Sequence, residues 1–157
     1  MSSPILEVKG VSKSFGNVKA LDNVDFYLQK GVVHGLLGEN GAGKSSLMNV
    51  LSGIYLPEKG TIKIKNQKIK KMNPDIASSL GIGMVHQEFR LIESFTIKDN
   101  LTLSKASIFS DNFEEAYEKY SEIFTLNSSY LTPINELSVG EKQKVEIMKL
   151  ILSLIHI

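Results

Sequence analysis

Apolar and polar positions alternate over residues 5–8 and again over 24–28, the period-two pattern of half-buried strands, with turn-prone Gly10, Gly16 and Gly31 between or after them. This predicts an antiparallel opening. Residues 32–37 instead form a short, mostly apolar run ending at Gly38, which predicts a buried parallel strand feeding a glycine loop, with a helix starting near Lys44. Downstream, Pro57-Glu58-Lys59-Gly60 has the composition of a turn, 61–65 reads as a strand, 75–80 as a short helix ended by Gly81, and 82–85 as another buried strand. From Thr96 the character becomes helical, with Phe113, Tyr117, Tyr120 and Phe124 spaced to form one apolar stripe, which belongs to a core and not to a ligand site. Ser138 followed by Glu141 has the spacing of a capping box, and Val145, Met148 and Leu152 recur at helical intervals, so a helix begins beside Gly140.

Composition narrows the possibilities. Hydrophobic residues at 42% and charged residues at 22% of 157 are ordinary for a chain that folds around a core, and the length is about that of one domain. The net charge of +1 supplies no bulk field for nucleic acid or an anionic membrane. The locally basic run 63–71 begins where Lys63 and Lys65 alternate with Ile62 and Ile64, and it has neither an aromatic nor an arginine close by; it fits the wet face of a strand. With no cysteine, disulfides and thiolate metal ligands are excluded. Residues 1–10 lack an apolar stretch of signal-peptide length, and no run approaches the roughly 18 residues of a membrane span, so cytoplasmic residence is expected, with any membrane role acting through a partner. There is no internal repeat, and the four prolines are scattered, so the helical stretch reads as an insertion within one domain.

The chemistry concentrates in Gly38-Glu39-Asn40-Gly41-Ala42-Gly43-Lys44-Ser45, followed by Ser46. This is the spacing of a phosphate-binding loop, in the strand-before, helix-after setting the mechanism needs. Glycines let backbone N–H groups curl around phosphates, and the helix N-terminus adds partial positive charge. Lys44 is placed to reach the β- and γ-phosphates and the Ser45 hydroxyl to ligate magnesium, so nucleoside triphosphate binding is expected. No Asn-Lys-x-Asp sequence is present to read guanine, and Arg90 is the only arginine, which weighs against a small-molecule kinase with its bidentate phosphoryl clamps.

Roughly ninety residues later comes Leu137-Ser138-Val139-Gly140-Glu141. On spacing alone a helix cap accounts for Ser138 as well as a phosphate contact does. Together with the phosphate loop, however, this stretch resembles the signature of ABC-type ATPases, in which the loop of one subunit closes over the γ-phosphate held by another. The resemblance covers about residues 4–150. It implies that Ser138 and Gly140 contact nucleotide, that Gln87 contacts magnesium and the attacking water, and that Phe15, in Lys13-Ser14-Phe15-Gly16, stacks on adenine. On the residues alone, a polar strand end for Gln87 and a core aromatic for Phe15 are the favoured readings. Lys44 and Gln87 thus stand as the catalytic candidates, Ser45 and Gln87 as the metal ligands, and Phe15, residues 38–46, Ser138 and Gly140 as the nucleotide contacts.

The same resemblance implies an α/β fold, a P-loop NTPase of ABC type with an N-terminal antiparallel β portion and a helical insertion over about 90–150 that ends in the signature helix. Gly81-Ile82-Gly83-Met84-Val85-His86-Gln87-Glu88 and the two motifs above are similar to bacterial importer ATPases for sugars and nucleosides, although Val139 stands where the commonest signature has a second glycine. The implied cofactors are ATP and Mg2+. The implied partners are membrane permease subunits, a second nucleotide-binding domain and, indirectly, a solute-binding protein, with the subunit peripheral on the cytoplasmic face of the membrane and no nucleic acid expected.

Members of this family continue past the signature helix into an apolar strand ending in Asp-Glu, then a switch histidine. Here no Asp-Glu pair follows an apolar strand, residues 151–157 leave the pattern, and His156 lacks the context of a switch histidine. We therefore expect a domain whose C-terminal core strands are missing, from a truncated gene product or a partial sequence. Without a second metal-holding carboxylate or a base, the 157 residues are not expected to hydrolyse ATP. A soluble ABC-type ATPase of translation or DNA repair, and a module that binds ATP without turnover, are the competing readings.

Overall fold

Strand β1 (Leu6–Phe15) turns Leu6 and Val8 toward the core and then Val11, which breaks the period of two. Its registers with β2 (Val18–Leu28) and β3 (Lys59–Ile64) both shift around this point, after Val8 against β2 and after Lys9 against β3. The irregularity returns to the core side chains that strict alternation would have turned outward. Gly10, inside it, donates its N–H to Asp25 Oδ1 at 2.7 Å, so a backbone group displaced from the ladder keeps a partner. With β4 (Gln67–Ile69) the strands form an antiparallel sheet in the order β2-β1-β3-β4. Ile62 and Ile64 lie opposite Val8 and Leu6 and are buried with them, while Lys63 faces out and pairs with Glu7 at 2.9 Å. The basic run is thus a wet strand face.

Helix α1 (Lys44–Leu51) lays Leu47, Val50 and Leu51 against this sheet, together with Met72 and with Ala77 of α2 (Pro74–Ser79). Leu47, Val50, Leu51 and Met72 each contribute about 1.5–3 kcal/mol relative to the exposed state. Asn73 caps α2, its Oδ1 accepting from Ile76 N–H at 2.7 Å.

The computed structural model describes residues 3–103 and 113–155, so His156 lies outside the described residues. The chain divides into two units, Met1–Ile82 and Gly83–Ile157.

Two sequence expectations fail here. Residues 32–37 form no strand: Val33 is 98% exposed and Leu37 93%, where a buried strand would hide both. A strand needs a neighbour to take its backbone groups, and among the described residues none runs beside this segment. It is held instead by His34, whose Nε2 accepts the Gln29 N–H at 3.1 Å. Residues 82–85 are likewise irregular, with Val85 44% exposed. Apolar composition sets a preference for burial, but only a paired edge makes a strand.

In the second unit, α3 (Ile97–Thr102) begins with a reciprocal cap in which the Asp99 N–H donates to Thr96 Oγ1 and the Thr96 N–H donates to Asp99 Oδ2. Helix α4 (Phe113–Phe124) buries Phe113 and Tyr117, with Tyr120 and Phe124 packed against the same core, so the aromatic stripe is structural. A short 3-10 turn (Ile134–Glu136) leads to α5 (Val139–Ile155), which buries Val145, Met148 and Leu152 on one face. Within α3, the Asn100 side chain is fully buried: its Oδ1 accepts from Ile92 N–H at 2.7 Å, and its Nδ2 donates to the carbonyls of Ile92 at 3.0 Å and Thr96 at 3.1 Å.

Candidate functional site

Gly43 caps α1 in the left-handed conformation, at φ 85°. A Cβ there would sit 2.5 Å from the Ala20 carbonyl oxygen and 3.1 Å from Leu21 Cδ2, so glycine alone lets the end of the loop press against β2. No side chain caps the helix and no acidic residue stands in its first turn. The first N–H groups are therefore left for an external acceptor, with the helix dipole behind them.

Lys44 crosses back over the loop, its Nζ donating to the carbonyls of Gly38 and Glu39, each at 2.7 Å. The Ala42 N–H donates to the Glu39 carbonyl at 3.2 Å and tightens the same turn. Glu39, Asn40, Gly41, Ala42 and the Ser45 hydroxyl-bearing residue are exposed, while Lys44 and Ser46 are half-buried. An uncapped helix end, an ammonium and an exposed hydroxyl within one turn suit a polyanion carrying a divalent cation.

Phe15 ends β1 on the same unit. The residue is 42% exposed, and its ring meets Tyr55 edge-on at 4.9 Å between centroids and has Lys13 Nζ 5.3 Å from its centroid. Tyr55 escapes sequence reasoning, because nothing in its spacing links it to a position forty residues earlier.

Gln87, Ser138 and Gly140 belong to the second unit. Ser138 and Gly140 are exposed, and a Cβ on Gly140 would meet nothing within 4 Å, so that backbone is open to approach. The capping box is formed: the Ser138 hydroxyl donates to Glu141 Oε2 at 2.6 Å, the Ser138 N–H to the same oxygen at 3.0 Å, and the Glu141 N–H returns to Ser138 Oγ at 3.3 Å. The other carboxylate oxygen, Oε1, accepts from the Ser128 hydroxyl at 2.6 Å. Ser128 is itself held by Tyr117, whose hydroxyl donates to the Ser128 carbonyl at 2.6 Å. The donors from Ser128 and Ser138 lower the Glu141 pKa to about 2. An aromatic of the α4 core thereby steadies the Ser138 loop through Ser128, a link with no sequence signal.

Gln87 is exposed in the irregular segment that follows residues 82–85. Three residues on, the Arg90 backbone is held by α5: its N–H donates to Glu146 Oε1 at 2.6 Å and its carbonyl accepts from Lys149 Nζ at 3.2 Å. Glu146, Lys149, Leu150 and Ser153 form a second stripe on α5, and with Met84, His86 and Arg90 they line a cavity of about 220 Å³. Leu150 lies so close to Gly83 that a Cβ there would come within 2.5 Å of its Cδ1. The one hint of Glu146 in the sequence is an acid beside the apolar Val145 and Met148 positions. Among the described residues, no cluster of three or more His, Cys, Asp or Glu could hold a metal, and no helix is long and apolar enough to cross a membrane.

A protein-family profile described as ABC transporter matches residues 21–156. Among curated proteins, the guanosine import ATP-binding protein NupO of Bacillus subtilis is 39% identical over 92% of this chain and 29% of its own length. The ribose import ATP-binding protein RbsA of Caldanaerobacter subterraneus subsp. tengcongensis is 43% identical over 95% of this chain and 31% of its own. The chain thus spans about three-tenths of the length of these relatives. Among solved structures, an ATP-binding cassette of an ABC transporter in its ADP conformation superposes with a TM-score of 0.83 at 29% identity, covering 97% of this chain and 66% of that one. A nucleotide-free ATP-binding cassette from an ABC transporter gives 0.82 at 28% identity, over 96% and 66%.

Proposed function

Because this chain belongs to the ABC transporter family, we propose that it binds ATP with Mg2+ as part of the ATP-binding subunit of an importer for simple sugars or nucleosides. The carrying observation is the uncapped N-terminus of α1, with Lys44 drawn across Gly38 and Glu39 at the mouth of the loop. Residues 38–46 cradle the phosphates through backbone N–H groups and Lys44, and Phe15 offers its exposed ring to adenine. Ser45 and Gln87 would hold the magnesium ion, which when bound neutralises phosphate oxygens. Ser138 and Gly140 present a hydroxyl and an open backbone to the phosphates of a nucleotide on a second nucleotide-binding domain. Sugar and nucleoside cargo is supported by relatives named for ribose and guanosine import. In the complete protein, ATP binding and hydrolysis drive transport through permease subunits at the cytoplasmic face, supplied by a solute-binding protein.

The test is an ATP titration of the protein and of Lys44→Ala, with and without Mg2+. Loss of Mg-ATP affinity by at least tenfold is expected, since a charge-assisted contact to phosphate is worth about 1.5–3 kcal/mol. Equal affinities would remove the basis for the assignment.

A further inference from the structure

Glu146 is only 8% exposed, and its Oε2 has no hydrogen-bond partner among the described residues. A carboxylate so placed is costly to bury, and an aliphatic residue would fill the same volume without that cost. Its one hydrogen bond, through Oε1, goes to the Arg90 N–H at 2.6 Å, and one turn further along α5 Lys149 grips the carbonyl of the same residue. Both backbone polar groups of one residue, in two successive peptide units, are thus bound to the helix. Arg90 is three residues from Gln87, and α5 starts at Val139, directly after Ser138.

We infer that Glu146 is a positioning residue for the Gln87 loop, and that α5 ties this loop and the Ser138 loop to one rigid element. The consequence for nucleotide rests on the function proposed above, in which Gln87 meets magnesium. Other residues pin the segment less directly: Leu150 packs on Gly83 from the same stripe, but it makes no polar contact with the loop backbone. Among the described residues, Glu146 and Lys149 hold the two backbone polar groups of Arg90, and hence the direction in which the chain arrives from Gln87.

The experiment compares Glu146→Ala, Glu146→Gln, Lys149→Met and Gln87→Ala in the intact protein by two measurements. The first is amide hydrogen exchange over 86–92. Glu146→Ala should speed exchange of the Arg90 amide about tenfold, the effect of losing one hydrogen bond of about 1.4 kcal/mol. Glu146→Gln keeps an oxygen acceptor and should restore the protection. The second is the Mg2+ concentration that half-saturates ATP binding. It should rise severalfold in Glu146→Ala and Gln87→Ala alike, rise no further in the double variant, and return in Glu146→Gln, while ATP affinity without Mg2+ stays constant. Unchanged exchange in Glu146→Ala, or equal loss of binding with and without Mg2+, overturns the positioning role. Should Glu146→Ala fail to fold, Lys149→Met carries the same test, with faster exchange at 86–92 supporting the clamp and unchanged exchange refuting it. If exchange responds as expected but Gln87→Ala leaves the Mg2+ requirement unchanged, the clamp stands and the magnesium role of Gln87 fails.

Discussion

Ser128 and Glu141 stand thirteen residues apart and meet at 2.6 Å, hydroxyl to carboxylate, while the other oxygen of the same carboxylate caps Ser138. A helix cap needs only one of those oxygens. The second brings in a segment anchored on Tyr117, so the Ser138 loop is supported both by its own helix and by the aromatic core of α4.

This arrangement makes stability depend on acid. The Glu141 pKa falls from an ordinary 4.5 to about 2 in the folded protein, chiefly through the Ser128 and Ser138 donors. A carboxylate whose pKa is depressed by folding contributes fully above its unfolded value, and the contribution is lost as pH falls through the folded one. Between pH 4.5 and 2, unfolding midpoints in urea should therefore drop more steeply for the parent than for Glu141→Gln. Parallel curves for the two proteins would mean that Ser128 and Ser138 do not hold the ionised form.

Phe15 is exposed enough to stack on a base and touches Tyr55 only edge-on. Phe15→Ala should weaken ATP and ADP binding alike, by about 1–3 kcal/mol on the scale of other base–aromatic contacts. Binding of inorganic triphosphate should be unaffected. An equal loss for triphosphate would show that the ring supports the fold and not adenine.

Asn100 satisfies both backbone groups of Ile92 from a fully buried position. Asn100→Ala strands the Ile92 N–H, with a desolvation penalty of about 1–3 kcal/mol, while the Ile92 carbonyl keeps the Phe95 N–H at 3.1 Å. Chemical denaturation should register a destabilisation of about 1–3 kcal/mol, with faster amide exchange at Ile92. A loss below 0.5 kcal/mol would mean that water replaces the amide.

How legible all this is from the sequence depends on the range of the interactions. Local signals carry through: the Ser138–Glu141 cap forms, Val145, Met148 and Leu152 are buried, and the helix after the phosphate loop starts at Lys44. Residues 32–37 and 82–85 fail as strands because pairing depends on neighbours elsewhere in the chain, which apolar composition does not reveal. β4 goes unread because a three-residue strand at an edge has too little pattern to detect. Within the site, the phosphate loop announces itself through side chains at fixed spacing. The Ser128 and Glu146 contacts join segments 13 and 56 residues apart in the chain and leave no periodic trace.

The bonds from Lys44 to Gly38 and Glu39 also bear on selectivity. The ammonium already has two acceptors supplied by the loop itself, so an incoming anion must compete with them. A singly charged oxyanion offers little more than the carbonyls do, whereas a polyphosphate offers several charged oxygens and engages the helix N–H groups in the same event. On the proposed function, the internal contacts should act as a threshold against small anions and keep the turn in shape until a polyphosphate arrives. Phosphate and sulfate should accordingly compete poorly with ATP even at millimolar concentration.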